Sequence, residues 1–102
     1  MDKIFKDLVL MKEAIEDEAT HIIKNVYMQD EDDENTYCTI NKFIIDADLN
    51  DVWAIDIRCF VGDRRVYTGT VYVPSIVPSA RMIGTYLAAY IVGVDDANND
   101  LA

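Results

Sequence analysis

Apolar residues in the first quarter of the chain fall at Ile4, Leu8, Met11, Ile15, Ala19, Ile22 and Val26. The steps between them are 4, 3, 4, 4, 3 and 4 residues, which keeps them on one helical stripe. Phe5, Val9 and Ile23 widen that stripe. The pattern predicts a helix from about Lys3 to Met28, with Asp2 as N-cap and Asp7 near the positive end of the dipole. Glu13, Glu16, Asp17 and Glu18 lie mostly off the stripe and face water, with Lys12 spaced to pair with Glu16.

From Thr36 the rhythm changes to that of strands. Thr36 to Ala47 is rich in Thr, Ile and aromatic residues. Its alternation breaks at Phe43-Ile44-Ile45, which calls for a bulge near Lys42 or partial cover on both faces. Asp48-Leu49-Asn50-Asp51 reads as a polar turn. The stretch Val52–Val73 then forms a hairpin around Gly62-Asp63. Trp53, Ile55, Ile57, Cys59 and Val61 share an apolar face suited to helices, and Ala54, Asp56, Arg58 and Phe60 make a mixed opposite face. A two-residue turn sets Cys59 against Val66, Ile57 against Thr68 and Ile55 against Thr70, whereas a three-residue loop turns Tyr67 and Val71 inward. Gly69, in mid-strand, marks a bulge or a close approach by another segment.

Pro74 closes the third strand, and Ser75 to Pro78 reads as a linker. Ser79 is the expected N-cap of a second helix reaching about Val92. Ile83, Leu87, Tyr90 and Val94 form one stripe of it, and Met82, Tyr86, Ala89 and Ile91 make the remainder apolar, with Arg81 its one charged residue. Such a helix needs cover on most sides, and Gly84 with Ala88 would let another backbone come close. Ile83, Gly84, Leu87, Ala88, Tyr90 and Ile91 are therefore the expected surface for a homodimer or partner. Asp95 to Ala102 reads as a polar, frayed tail. Together these elements predict one α+β domain over residues 1–102: two layers, with a three-stranded antiparallel meander between a long N-terminal and a C-terminal helix.

Charge changes the picture most. Lys and Arg number 9 against 19 Asp and Glu, a net charge of −10. Direct binding to nucleic acid or to an anionic membrane is disfavoured, and a basic protein partner is favoured. Gln29 to Asn35 holds five consecutive acids, Asp30, Glu31, Asp32, Asp33 and Glu34. Their mutual repulsion predicts a solvated loop, and with Glu13, Asp17 and Glu18 they form the candidate partner-binding surface. The alternating acids superficially match a calcium loop, but Asn35 stands where glycine is needed and Asn41 where a bidentate glutamate is needed. Arg58, Arg64 and Arg65 gather at one end of the hairpin, where carboxylates of the same chain or a second copy are the expected partners.

Chemistry-bearing motifs are few. Cys38 and Cys59 both fall inside strands and read as buried, reduced thiols. One histidine, His21, lies beside the first helix stripe with no sequence-adjacent partner, which places it at the boundary or in solvent. Asp56, between Ile55 and Ile57, is the one acid in an apolar setting, and Arg58 is its expected partner. No metal, cofactor or catalytic role is expected. The apolar run near the C-terminus is broken by Arg81, Gly84 and Thr85, and the N-terminus lacks a signal-like apolar core, so a cytoplasmic location is expected. In size and charge the chain resembles small acidic inhibitors such as anti-CRISPR proteins, toxin-immunity proteins and DNA mimics. That points to an inhibitor that blocks the nucleic-acid-binding surface of a partner. The alternative expectation is a homo-oligomeric assembly or secretion-chaperone-like protein, although those chaperones carry two further strands before the last helix.

Overall fold

A computed structural model describes the backbone over residues 2–46, 52–74 and 79–101. Side chains are described over 9–44, 52–74 and 79–99, so the Asp48–Asp51 turn, the Ser75–Pro78 linker and the Asp2 cap lie outside the described residues. The elements are α1 (Asp2–Val26), β1 (Tyr37–Asp46), β2 (Val52–Val61), β3 (Arg64–Pro74) and α2 (Ala80–Leu101). The strands form one antiparallel sheet in the order β1-β2-β3. α1 packs over β1, α2 packs over β3, and the two helices pack against each other. The expected two-layer α-β-β-β-α fold is what the chain adopts.

The alternation of the strands fills the core. Ile55, Ile57 and Cys59 are fully buried, and Trp53 and Val61 pack against the same cluster. The bulge falls between Ile40 and Lys42. Cys38 and Ile40 point into the core before it, and Phe43 packs inward after it, which accounts for the broken alternation. Phe43 stacks on Trp53 with ring centroids 4.3 Å apart.

The hairpin combines both expected registers. Val61 pairs with Arg64 around Gly62-Asp63, and Gly62 takes φ 60° at the first turn position, the type II′ pattern. A second bulge follows, because Phe60 pairs with Arg65 but Cys59 pairs with Tyr67. Val66 is the extra residue, so Val66 and Tyr67 both reach the core side. The rest of β3 is shifted by one from the plain two-residue register, with Ile57 opposite Gly69 and Ile55 opposite Val71. The segment approaching Gly69 is the Tyr67 side chain, whose hydroxyl would lie 3.2 Å from a Cβ placed there. Tyr67 meets Tyr90 of α2 edge to face, with centroids 5.8 Å apart.

α1 buries Ile15, Ala19 and Ile23, with Met11 and Ile22 beside them. Val26, expected on the stripe, is 50% exposed. Cys38, near the start of β1, is level with Thr20, so the last turn of α1 overhangs the strand. That turn closes by bonds from Met28 N to Asn25 O and from Gln29 N to Lys24 O, a Schellman closure with Met28 at φ 58°.

α2 starts where expected: the Ser79 hydroxyl accepts a bond from Met82 N at 3.2 Å. It does not end near Val92 but continues to Leu101, so the expected frayed tail is helical over 95–101. Ile83, Leu87, Ala88 and Ile91 are buried, and Gly84 is buried with them. A Cβ on Gly84 would stand 2.8 Å from Glu18 Cβ and 3.0 Å from Ile15 O. The backbone that Gly84 admits is therefore α1 of the same chain.

Gly84→Ala should lower the unfolding free energy by about 1–3 kcal/mol, since α1 must move to admit the methyl group. Met28→Gly, at an exposed position, should raise it by about 0.5–1 kcal/mol by removing left-handed strain. Both are read from urea denaturation midpoints at constant slope.

Candidate functional site: an acidic groove

The acidic stretch between α1 and β1 is tethered at several points. Lys24 Nζ donates to the Glu31 carbonyl at 2.8 Å, and Asp33 N donates to the Asp30 carbonyl at 3.1 Å. Asp33 Oδ1 accepts from Asn35 N at 2.8 Å, and its Oδ2 accepts from the Thr36 hydroxyl at 2.9 Å. Thr36 is 1% exposed and in turn accepts a bond from Gly62 N at 3.1 Å, which ties the turn to the hairpin end. The Asn35 N–H, then the Thr36 hydroxyl, hold the Asp33 carboxyl below the usual aspartate range. Asp33 is thus a structural member of a stretch expected to be a solvated loop. His21, exposed as expected, has Nδ1 3.6 Å from a Glu31 carboxylate oxygen.

The free edge of β1 faces α1. Cys38 N donates to Thr20 Oγ1 at 2.9 Å, and Ile40 N donates to Glu16 Oε2 at 2.7 Å. A helical step of four residues advances about 6 Å and a strand step of two about 6.8 Å, so the two pairs match. Glu16 was expected to face water beside Lys12, but it satisfies the sheet edge instead. The reason is tertiary: an edge N–H left beside a helix needs an acceptor.

A groove of about 630 Å³ results between α1, the acidic turn and β1. Glu16, Asp17, Glu31, Asp32, Asp33 and Glu34 line it, with Lys24 as its one basic side chain. The fold therefore brings Asp17 and the turn acids Glu31 to Glu34 together. Asp30 sits at the start of the turn and Glu13 one helical turn before Asp17, both exposed and neither lining the groove. Glu18 departs from the expected surface. It faces α2, with Oε1 3.8 Å from Arg81 Nε and its Cβ beside Gly84. On the other expected surface, Ile83, Gly84, Leu87, Ala88 and Ile91 are buried in the chain's own core, and of the six only Tyr90 is exposed.

One cluster escaped the sequence reading. Asp95, 4% exposed, accepts bonds from Tyr27 Oη at 2.5 Å and from Arg64 Nη1 and Nη2 at 2.8 and 3.2 Å. It joins the end of α1, the hairpin tip and α2. The signal was present, because Asp95 continues the 83-87-91 line at a step of four. The expected pairing of the hairpin arginines with the chain's own carboxylates holds for Arg64. Among the described residues Arg58 and Arg65 form no ion pair. Asp56 bonds to the Thr70 hydroxyl across the sheet, not to Arg58. That follows from the register, which sets Asp56 opposite Thr70, while Arg58 stands two residues along the same strand.

Cys38 and Cys59 are both buried and free, directly opposite each other, with Sγ atoms 3.3 Å apart. The hydrogen bond to Cys59 and then burial push the Cys38 thiol well up, so it stays protonated. Among the described residues no three His, Cys, Asp or Glu side chains are grouped to hold a metal ion. Nor is any described helix long and apolar enough to cross a membrane. No family model, curated protein or solved structure matches this chain.

The Arg64 guanidinium holds Asp95 below the usual 3.8, so its stabilisation is complete above that value and is lost as pH falls through the depressed folded value. Burial, with the Asp95 bond next, raises Tyr27 from 10.0 to about 12, so stability falls as pH rises between those values. Asp95→Asn should cost about 1–3 kcal/mol at neutral pH and flatten the acid limb of the stability profile, measured by denaturation across pH.

Proposed function

We propose that this protein binds a basic surface of a partner protein through the acidic groove, acting as an inhibitor of a nucleic-acid-binding partner. The observation that carries this reading is the gathering of six carboxylates on one tethered groove with a single lysine among them. Glu16 and Asp33 are engaged by the fold, which leaves Asp17, Glu31, Asp32 and Glu34 to face a partner. A turn already held by hydrogen bonds loses little freedom on docking, and its field speeds encounter with a basic surface. The groove hydroxyl that donates to a carboxylate, Thr36 to Asp33, is 1% exposed and also accepts from Gly62 N. It is committed to the turn, so binding fits the groove's chemistry better than catalysis.

The test uses immobilised protein against a host lysate, identification of the retained basic protein, and calorimetry of the purified pair. Asp17→Asn, Asp32→Asn and Glu34→Gln together leave the tethering bonds intact. They should weaken binding by about tenfold or more at low salt, equivalent to about 1.4 kcal/mol. Wild-type affinity should fall as salt rises. Equal affinity of the triple variant, or an affinity indifferent to salt, would remove the proposal.

A further inference from the structure

Among the described residues nothing covers the outward face of α2. From Met82 to Val94 the helix holds no charged residue, in a chain whose residues are 27% charged. Met82, Tyr86 and Tyr90 are 51%, 40% and 43% exposed, and Thr85, Ala89 and Gly93 are exposed among them. Met82, Tyr86, Ala89 and Gly93 follow steps of 4, 3 and 4, a straight seam along the helix opposite its buried side. Gly93 has no packing reason among the described residues. A Cβ there would meet nothing within 4 Å, and a glycine in an exposed helix interior lowers helix stability relative to alanine.

We infer that this seam is a two-fold interface in which a second copy of the chain lays its own α2 antiparallel against it. Three features select a second copy as the occupant. The seam reads large, large, small, small, so its reverse complements it: Met82 meets Gly93 of the other copy and Tyr86 meets its Ala89. Arg81, whose side chain is 85% exposed even with its Nε 3.8 Å from Glu18, and the exposed Asp96 bracket the seam with opposite signs. An antiparallel partner brings Arg81 toward the other copy's Asp96 at both ends, whereas a parallel one sets arginine against arginine. Finally, two copies of net charge −10 repel over most of their surfaces, and here they meet over an uncharged strip. The acidic groove, between α1 and β1, stays free in such a pair and keeps its own partner.

Sedimentation equilibrium of the full chain over a concentration series tests this. The wild-type weight-average mass should rise toward twice the 11.6 kDa of one chain. Ala89→Glu should stay at one chain mass with unchanged far-ultraviolet circular dichroism, and Thr85→Glu serves the same purpose if Ala89→Glu perturbs folding. Arg81→Asp should raise the dimer dissociation constant by about three- to tenfold, and Arg81→Asp with Asp96→Arg should bring it back. A wild-type chain that stays monomeric to about millimolar concentration, the weak limit of specific association, overturns the proposal. So does a dimer that survives both Glu variants. A dimer indifferent to Arg81→Asp, or not restored by the swap, overturns the antiparallel arrangement.

Discussion

The close contact between α1 and α2 at Gly84 sets the geometry that the rest of the chain relies on. A three-stranded sheet is narrow, and two helices cover one face of it only if they lie side by side without a gap. Glycine removes the one side chain that would separate them, since a Cβ there would meet Glu18 and the Ile15 carbonyl. Ile15, Ala19 and Ile23 can then share one core with Ile83, Leu87 and Ile91 above the buried faces of β2 and β3. Such a core is small, so each fully buried isoleucine or leucine carries a large share of the hydrophobic stabilisation.

With the helices in place, the polar groups near them must find partners. Thr20 and Glu16 cap the free edge of β1 at Cys38 and Ile40, which blunts the first half of that edge against pairing with another chain. The far end of the helix pair is joined to the hairpin tip by Asp95, held between Tyr27 and Arg64. Between these two points the acidic turn is stretched over the hairpin end through Asp33 and Thr36. A run of like charges that would spread apart in isolation is thereby held as a shaped surface.

Charge is divided unevenly over the molecule as a result. The groove beside α1 concentrates carboxylates, and the outer face of α2 between Met82 and Val94 carries no charge at all. The outer sheet face is mixed, with Arg58 and Arg65 near the stacked pair of Tyr37 and Phe60, and exposed Tyr72 farther along the hairpin opposite Ala54. The groove and the α2 face differ in chemistry, and the occupants proposed for them differ accordingly: a basic one for the groove, an uncharged self-complementary one for α2.

Periodicity and local signals by themselves determined the order and type of the elements, the place of the hairpin turn at Gly62-Asp63, the Ser79 cap and the inward face of β2. They also narrowed the broken alternation of β1 to a bulge near Lys42 or cover on both faces. Each of these depends on neighbours in sequence, where a period of 3.6 or 2 and a capping or turn residue carry the information. Composition likewise determined that the chain is strongly acidic. Only the tertiary structure decided which apolar face of α2 is covered. Its apolar residues run around the helix, and the choice of Ile83, Leu87 and Ile91 over Met82 and Tyr86 depends on where α1 and the sheet lie. The same holds for Glu16, Glu18 and Asp95, whose charge suggested solvent. Their partners, a strand edge, a neighbouring helix and a distant arginine, are separated from them by 24, 63 and 31 residues. No local pattern records a pairing over such distances. It exists only once the packed helices and the sheet have brought those groups within reach of one another.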